Sequence, residues 1–203
     1  MRYAKKERVS DYTIILLLTY TGMRSGEAIG MYWEDIDFEE NTVSVKRTRD
    51  TLGTRKPKTD NSIRTIKVDE LVIKQLKKYR AWCMQRKLEF GEQLEEVDFV
   101  FLNNDGSMNY YKELLSIAIR RIYRNMKKDD IKINKITGHG LRHTHCTILL
   151  SQGNQVKTVA DRLGNTPETI FETYSHSFEE LEEQAVVSFS QSLQGGAVSG
   201  AEK

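Results

Sequence analysis

Four histidines, two arginines and a tyrosine are gathered between Thr137 and His176, in the run TGHGLRHTHCTILLSQGNQVKTVADRLGNTPETIFETYSH. They are the only four histidines of the 203-residue chain. His139 and Arg142 stand three residues apart and His143 one turn after His139, so on a helix they share a face. A planar guanidinium can clamp two phosphate oxygens. A histidine beside it can hydrogen-bond a non-bridging oxygen or move a proton. Tyr174 follows Asn165 by nine residues, on a short helical pattern that can present its hydroxyl to the same phosphate. Tyrosine is a poor nucleophile at its ordinary pKa of about 10. Neighbouring arginines would favour phenolate and stabilise charge building on the phosphorane oxygens. The chemistry suggested is attack of a tyrosine on a phosphodiester.

Each residue also has a plainer reading. His139, His143, His145 and Cys146 are all metal-ligand types, and a metal-dependent hydrolase could be built on such a cluster. On one helix, however, His145 points away from His139, and Arg142 would set a fixed positive charge against a metal. His143 reads as a buried, hydrogen-bonded support for Arg142. His145 and His176 read as structural or exposed, and Tyr174 alone as a packing tyrosine. Only the constellation raises them.

The elements that position these groups follow from periodicity and turn chemistry. Asp11 to Tyr20 is apolar and helical, and Gly22 stops it. Ser25 is an N-cap for SGEAIGMYW, with Glu27 in the first turn. Arg24 lies in the joint between, either aimed at a ligand or paired with Glu27 or Glu34. TVSVKRT and IRTIKV alternate as strands around the turn-rich RDTLGTRKPKTDNS, giving an antiparallel sheet of two or three strands with Lys56 and Lys58 near a hairpin tip. Asp69 caps a helix over 70–89, VDFVFLNN reads as a buried strand, and helices follow over 110–126, 140–150 and 156–163. A short helix then starts at Pro167, and an amphipathic one runs over 178–189. The expected fold is α+β and mainly α-helical, a helical bundle with a small antiparallel sheet on one side.

Composition narrows the class. Hydrophobic residues are 38% and charged residues 30%, and no apolar run approaches the roughly 20 residues of a membrane span. Two cysteines, Cys83 and Cys146, make no disulfide framework, and a cytoplasmic protein is expected. The net charge of +2 hides uneven zones. Lys46 to Lys78 holds eleven basic residues against four acidic ones, and Arg120 to Lys135 seven against two. Such zones suit a phosphate backbone or are simply solvated faces.

TGMRSGEAIGMYWEDID, KPKTDNSIRTI, HGLRHTH and LGNTPETIFETYSH, in that order, resemble the catalytic domain of tyrosine recombinases of the phage-integrase kind, over about residues 10 to 190. The resemblance implies a site-specific DNA recombinase that cleaves and rejoins strands through a 3′-phosphotyrosine, serving integration or excision of a mobile element, with no cofactor and no metal. It implies Arg24 and Arg142 as the arginines clamping the scissile phosphate, and Lys58 as the hairpin lysine protonating the leaving 5′-oxygen, with Lys56 its rival. His139 would be a proton acceptor or phosphate ligand, and Tyr174 the nucleophile. Double-stranded DNA is the implied partner, with a tetramer on DNA in the full-length protein. Residues 1–9 would be a linker or remnant of an N-terminal DNA-binding region, 10–190 the catalytic domain and 191–203 a disordered tail. The domain alone would be monomeric or paired through its tail. A type IB topoisomerase-like enzyme and a catalytically weakened DNA-binding relative are the alternatives.

One position departs from the family pattern, which has His or Trp where this chain has Asn165. An amide can still donate to the phosphate, but it is shorter and carries no proton. Asn165→His should therefore leave strand cleavage intact or improve it. A loss of more than about tenfold in covalent DNA adduct would count against this placement.

Overall fold

In the computed structural model the described backbone is residues 1–203 without Lys58, 104–106, 108–113, Lys135 and 197–203; the side chains of Lys6, Asp60, 175–184 and 194–196 also lie outside the description. Helix α1 (Val9–Thr21) runs through the centre, because its sequence is apolar on every side. Ile14, Leu16, Leu17 and Leu18 are all buried. Around it pack α3 (Glu70–Glu89), α4 (Leu114–Lys128) and α5 (Gly138–Ser151). Asp11 is buried within α1 and is met by Arg121 Nη1 of α4 at 2.5 Å. A short α2 (Ser25–Ile29) follows the first joint.

On one side lies a three-stranded antiparallel sheet, β1 (Ile36–Asp37), β2 (Thr42–Val45) and β5 (Arg64–Lys67), in the order β1-β2-β5. Its register pairs Val43 with Ile66 and Val45 with Arg64. Val43, Val45 and Ile66 face the core, while Ile63 is exposed, so the inward face of the imperfect IRTIKV alternation is Arg64, Ile66 and Val68. A separate hairpin, β3 (Thr48–Asp50) with β4 (Gly53–Arg55), interrupts β2 and β5. Helices α6 (Val156–Leu163) and α7 (Pro167–Gly196) close a second, smaller core of Cys146, Leu150, Val159, Ala160, Leu163, Ile170 and Tyr174. Among the described residues no helix is long and apolar enough to cross a membrane.

The mainly helical, α+β architecture matches the expected one, and α3 and α6 have the expected bounds. Three local expectations need correction. VDFVFLNN is buried over residues 99–102, with Val97 exposed, but forms no strand among its described residues. Its backbone meets Tyr32 only in an isolated bridge, because Trp33–Asp35 turns into a 3-10 helix and ends the ladder. The N-cap of α2 is Arg24 rather than Ser25, and Glu27 accepts the Arg24 N–H. The two helices expected after Pro167 are present and meet at a kink at Tyr174 (φ −122°, ψ 23°), so α7 is a bent element, but the second reaches Gly196, past Gln191 where the tail was expected. Ala4–Lys6 forms a 3-10 turn, Tyr3 and Ala4 are buried, and the Tyr3 hydroxyl bonds Asp129 at the end of α4.

Helix α3 offers a direct test of how the core is divided. Leu76 is fully buried, whereas Leu71, on the same helix, is 42% exposed. Leu76→Ala should lower unfolding free energy by about 3 kcal/mol and Leu71→Ala by less than about 0.5 kcal/mol, read from urea unfolding.

Candidate active site

Two helix stops build the site. Gly22 ends α1 at φ 65°, a left-handed value where a side chain is strained, and a Cβ there would lie 2.5 Å from Leu163 and 2.8 Å from His145. Two residues on, Arg24 caps α2. Its backbone N–H donates to Glu27 Oε2 (2.9 Å) and its Nη1 to Glu27 Oε1 (2.9 Å). Gly164 ends α6 at φ 66°, and a Cβ there would meet Arg64 Nη1 at 2.7 Å. Asn165 follows, and its Oδ1 accepts from Arg24 Nη2 at 2.7 Å, so the two joints touch. With the carbonyl so used, the Asn165 amide keeps its N–H donors for a ligand. Arg24 is thus paired with Glu27, one of the readings its sequence position allowed, and also holds Asn165.

Arg142, on α5, lies against the first joint. It is 4% exposed, and its Nη1 donates to the Gly22 carbonyl at 2.8 Å. Its Nη2 is buried with no hydrogen-bond partner among the described residues. Burial first, then the like charge of Arg24, lowers its pKa to about 10. A guanidinium that far desolvated, with donors unspent, can hold an anion.

Tyr174 comes from the break in α7. Its side chain is buried, stacked on the His143 ring with centroids 4.8 Å apart. Burial, and then Cys146, raise its pKa to about 12, while the charge of Arg142 pulls the other way. The hydroxyl is therefore a protonated, sheltered phenol in this state, within the field of Arg142.

The remaining candidates separate. His139 is exposed in the first turn of α5. His143 is half-buried and serves as the stacking partner of Tyr174. His145 is a brace: Arg162 Nε donates to its Nε2 (3.1 Å), so its Nδ1 carries the proton and donates to the Thr19 carbonyl (3.0 Å). Cys146 is fully buried, and no three His, Cys, Asp or Glu side chains among the described residues are grouped to hold a metal. The His176 side chain and all of Lys58 lie outside the described residues; Lys56 is exposed beyond β4. A cleft of about 350 Å³ opens beside Arg24, and Pro57 and Thr59, the chain neighbours of Lys58, line it with Thr48 and Arg55. A more apolar cleft of about 310 Å³, walled by Tyr3, Ile15, Ile119 and Ile122, shares no residue with the site.

Sequence reading gave no function to Arg64 or Arg162, and saw Glu27 as a first-turn acid and a candidate partner of Arg24. Glu27 is 2% exposed and holds two arginines, Arg24 and Arg64. Burial alone would raise its pKa, but Arg64 and then Arg24 override this and the net shift is downward. Arg64 gave one signal in the sequence: a charge on the inward face of a strand, in phase with Ile66. Arg162 gave none, since its partners are backbone carbonyls of Lys67 and Tyr20 and the His145 ring.

The chain belongs to the phage integrase family, whose profile matches residues 1–180. A tyrosine recombinase XerC-like protein of Caldanaerobacter subterraneus subsp. tengcongensis is 33% identical over 169 residues, covering 75% of this chain and 42% of that one. The ICEBs1 integrase of Bacillus subtilis is 26% identical over 172 residues, covering 82% and 44%. The chain thus spans less than half the length of these two curated relatives. Among solved structures, the Tn1549 transposon integrase in complex with transposon right-end DNA shares the fold at a TM-score of 0.67 and 24% identity, over 85% of this chain and 58% of that one. The XerA recombinase does so at 0.64 and 24%, over 90% and 58%.

The His145 brace makes stability sensitive to mild acid. Burial, and then the charges of Arg162 and Arg142, hold its pKa below the ordinary 6.5, outweighing the bond to Thr19. The unfolded chain therefore takes up the proton first, and this share of stability is present above about pH 6.5 and lost as pH falls through the depressed value. Urea midpoints should decline between about pH 7 and 5.5, and the decline should flatten in His145→Gln.

Proposed function

We propose that this chain is the catalytic part of a site-specific DNA recombinase, an integrase that cuts and rejoins DNA for integration or excision of a mobile element. The observation that carries the reading is the buried Arg142 with unspent donors, close enough to Arg24 and Tyr174 for their charges to act on it. Family membership and relatives named as recombinases and integrases support it.

In this reading Arg24 and Arg142 hold the non-bridging oxygens of the scissile phosphodiester, joined by the Asn165 amide. The Tyr174 oxygen attacks phosphorus as the bond to the 5′-oxygen breaks, leaving a 3′-phosphotyrosine and a free 5′-hydroxyl. His139 takes the phenol proton or holds a phosphate oxygen. Lys58, or Lys56 in its place, gives a proton to the leaving oxygen; the cleft lined by Pro57 and Thr59 suits Lys58. Reversal by another 5′-hydroxyl rejoins the strand. Because burial and Cys146 raise the phenol pKa to about 12, cleavage calls for Tyr174 to leave that buried setting, and the non-helical backbone at that residue is where α7 can turn. Double-stranded DNA is the substrate, and a tetramer on DNA is the working form of the full-length protein.

The test uses short duplexes nicked on one strand and randomised across the centre, incubated with excess protein in EDTA. A covalent protein–DNA adduct should form and be absent in Tyr174→Phe. Adduct persisting in that variant would remove Tyr174 as nucleophile, and cleavage that appears only with added divalent metal would favour the hydrolase reading.

A further inference from the structure

Arg64 has more than one carbonyl and a carboxylate in its grip, yet its side chain is only 7% exposed and offers little to a ligand. Its Nη2 donates to Glu27 Oε2 at 2.9 Å, and its Nη1 to the Ser62 carbonyl at 2.9 Å and to Glu27 Oε1 at 3.3 Å. Its Nε donates to the Arg162 carbonyl at 2.7 Å, in the last turn of α6. Each oxygen of Glu27 therefore takes one hydrogen bond from Arg24 and one from Arg64. The contacts close into a ring. Arg24 meets Glu27, Glu27 meets Arg64, Arg64 meets the α6 end and sits under Gly164, and Asn165 returns to Arg24. The ring joins three parts of the chain distant in sequence, and the Ser62 bond adds the segment that carries Lys58.

We propose that Arg64 is a positioning residue for strand cleavage: without touching the phosphate, it sets Arg24 through Glu27 and sets the Asn165 joint through the carboxyl end of α6. The inference rests on the recombinase reading above. Its physical basis is the shape of the guanidinium. A rigid planar fork can hold a carboxylate on one edge and a carbonyl on the other, whereas a lysine ammonium is a single point at the end of a flexible stem. If Arg64 only balanced the charge of Glu27, lysine would serve. If it only held the fold together, its loss would show in stability and DNA binding as much as in rate. A positioning role predicts a different outcome, since misplacement of clamping groups by about 1 Å can slow a reaction about 100-fold.

The experiment compares the unaltered chain with Arg64→Lys, Glu27→Gln and the double variant. It measures single-turnover adduct formation at saturating protein on the nicked duplex pool, affinity for the same duplexes without the nick, and thermal unfolding. Arg64→Lys should bind duplex within about threefold of the unaltered chain and form adduct about 100-fold more slowly. Glu27→Gln should slow it comparably, and the double variant should be little slower than either single one, because both act through one linkage. An Arg64→Lys rate within about threefold of the unaltered chain, a rate loss matched by lost affinity, or additive losses would overturn the proposal. Should Arg64→Lys not hold its fold, Glu27→Gln decides: full rate with retained affinity overturns the proposal. If the unaltered chain forms no Tyr174-dependent adduct, the recombinase reading falls and takes this one with it. If it does form adduct and Arg64→Lys matches it, only the positioning role falls.

Discussion

The site depends on one buried carboxylate. Glu27 sits at the meeting point of Arg24 and Arg64, with Arg142 close enough for its own pKa to be shaped by all three. Three guanidiniums around one acid leave a positive surplus in a partly desolvated place. Such surplus is costly in a protein interior unless hydrogen bonds are well placed. Here most donors reach carbonyls or Glu27, and the Arg142 Nη2 among them does not. At this site the fold thus leaves a buried guanidinium donor that an anion could satisfy.

The same arrangement explains the state of the tyrosine. Tyr174 belongs to the smaller core, packed with Cys146 and Leu150 of α5 and Ile170 of its own helix. Its burial raises the pKa while the field of Arg142 lowers it, and burial prevails. The phenol is accordingly quiet where it rests. On the proposed recombinase reading, activation belongs to a rearranged state in which the hydroxyl exchanges its buried lining for arginines and phosphate.

How much of this could be read from the sequence depended on whether the signal was local. The bounds of α3 and α6 were legible because Asp69, Gly164 and clear apolar stripes mark them. Arg24, Arg142, Asn165 and Tyr174 were legible as motif positions, and the structure brings them together. Arg64 and Glu27 were not legible as a linkage, because a bond between residues 37 apart leaves no trace in spacing. His143 was expected to support Arg142, and its stacking on Tyr174 was not legible, because it is set by how α7 packs on α5. VDFVFLNN had the apolar content of a strand, but a strand needs an extended partner, and its neighbour turns into a 3-10 helix.

Helix α7 has a mechanical side as well. It continues 22 residues past Tyr174, so at about 1.5 Å per residue its far end lies about 33 Å from that residue. The non-helical backbone at Tyr174 makes that residue the fulcrum of a long lever. A turn of about 10° there sweeps the far end through about 6 Å, for a rigid helix of that rise. Read in reverse, whatever holds the far end of α7 works with the long arm, and fixes the angle of the tyrosine to within a few degrees.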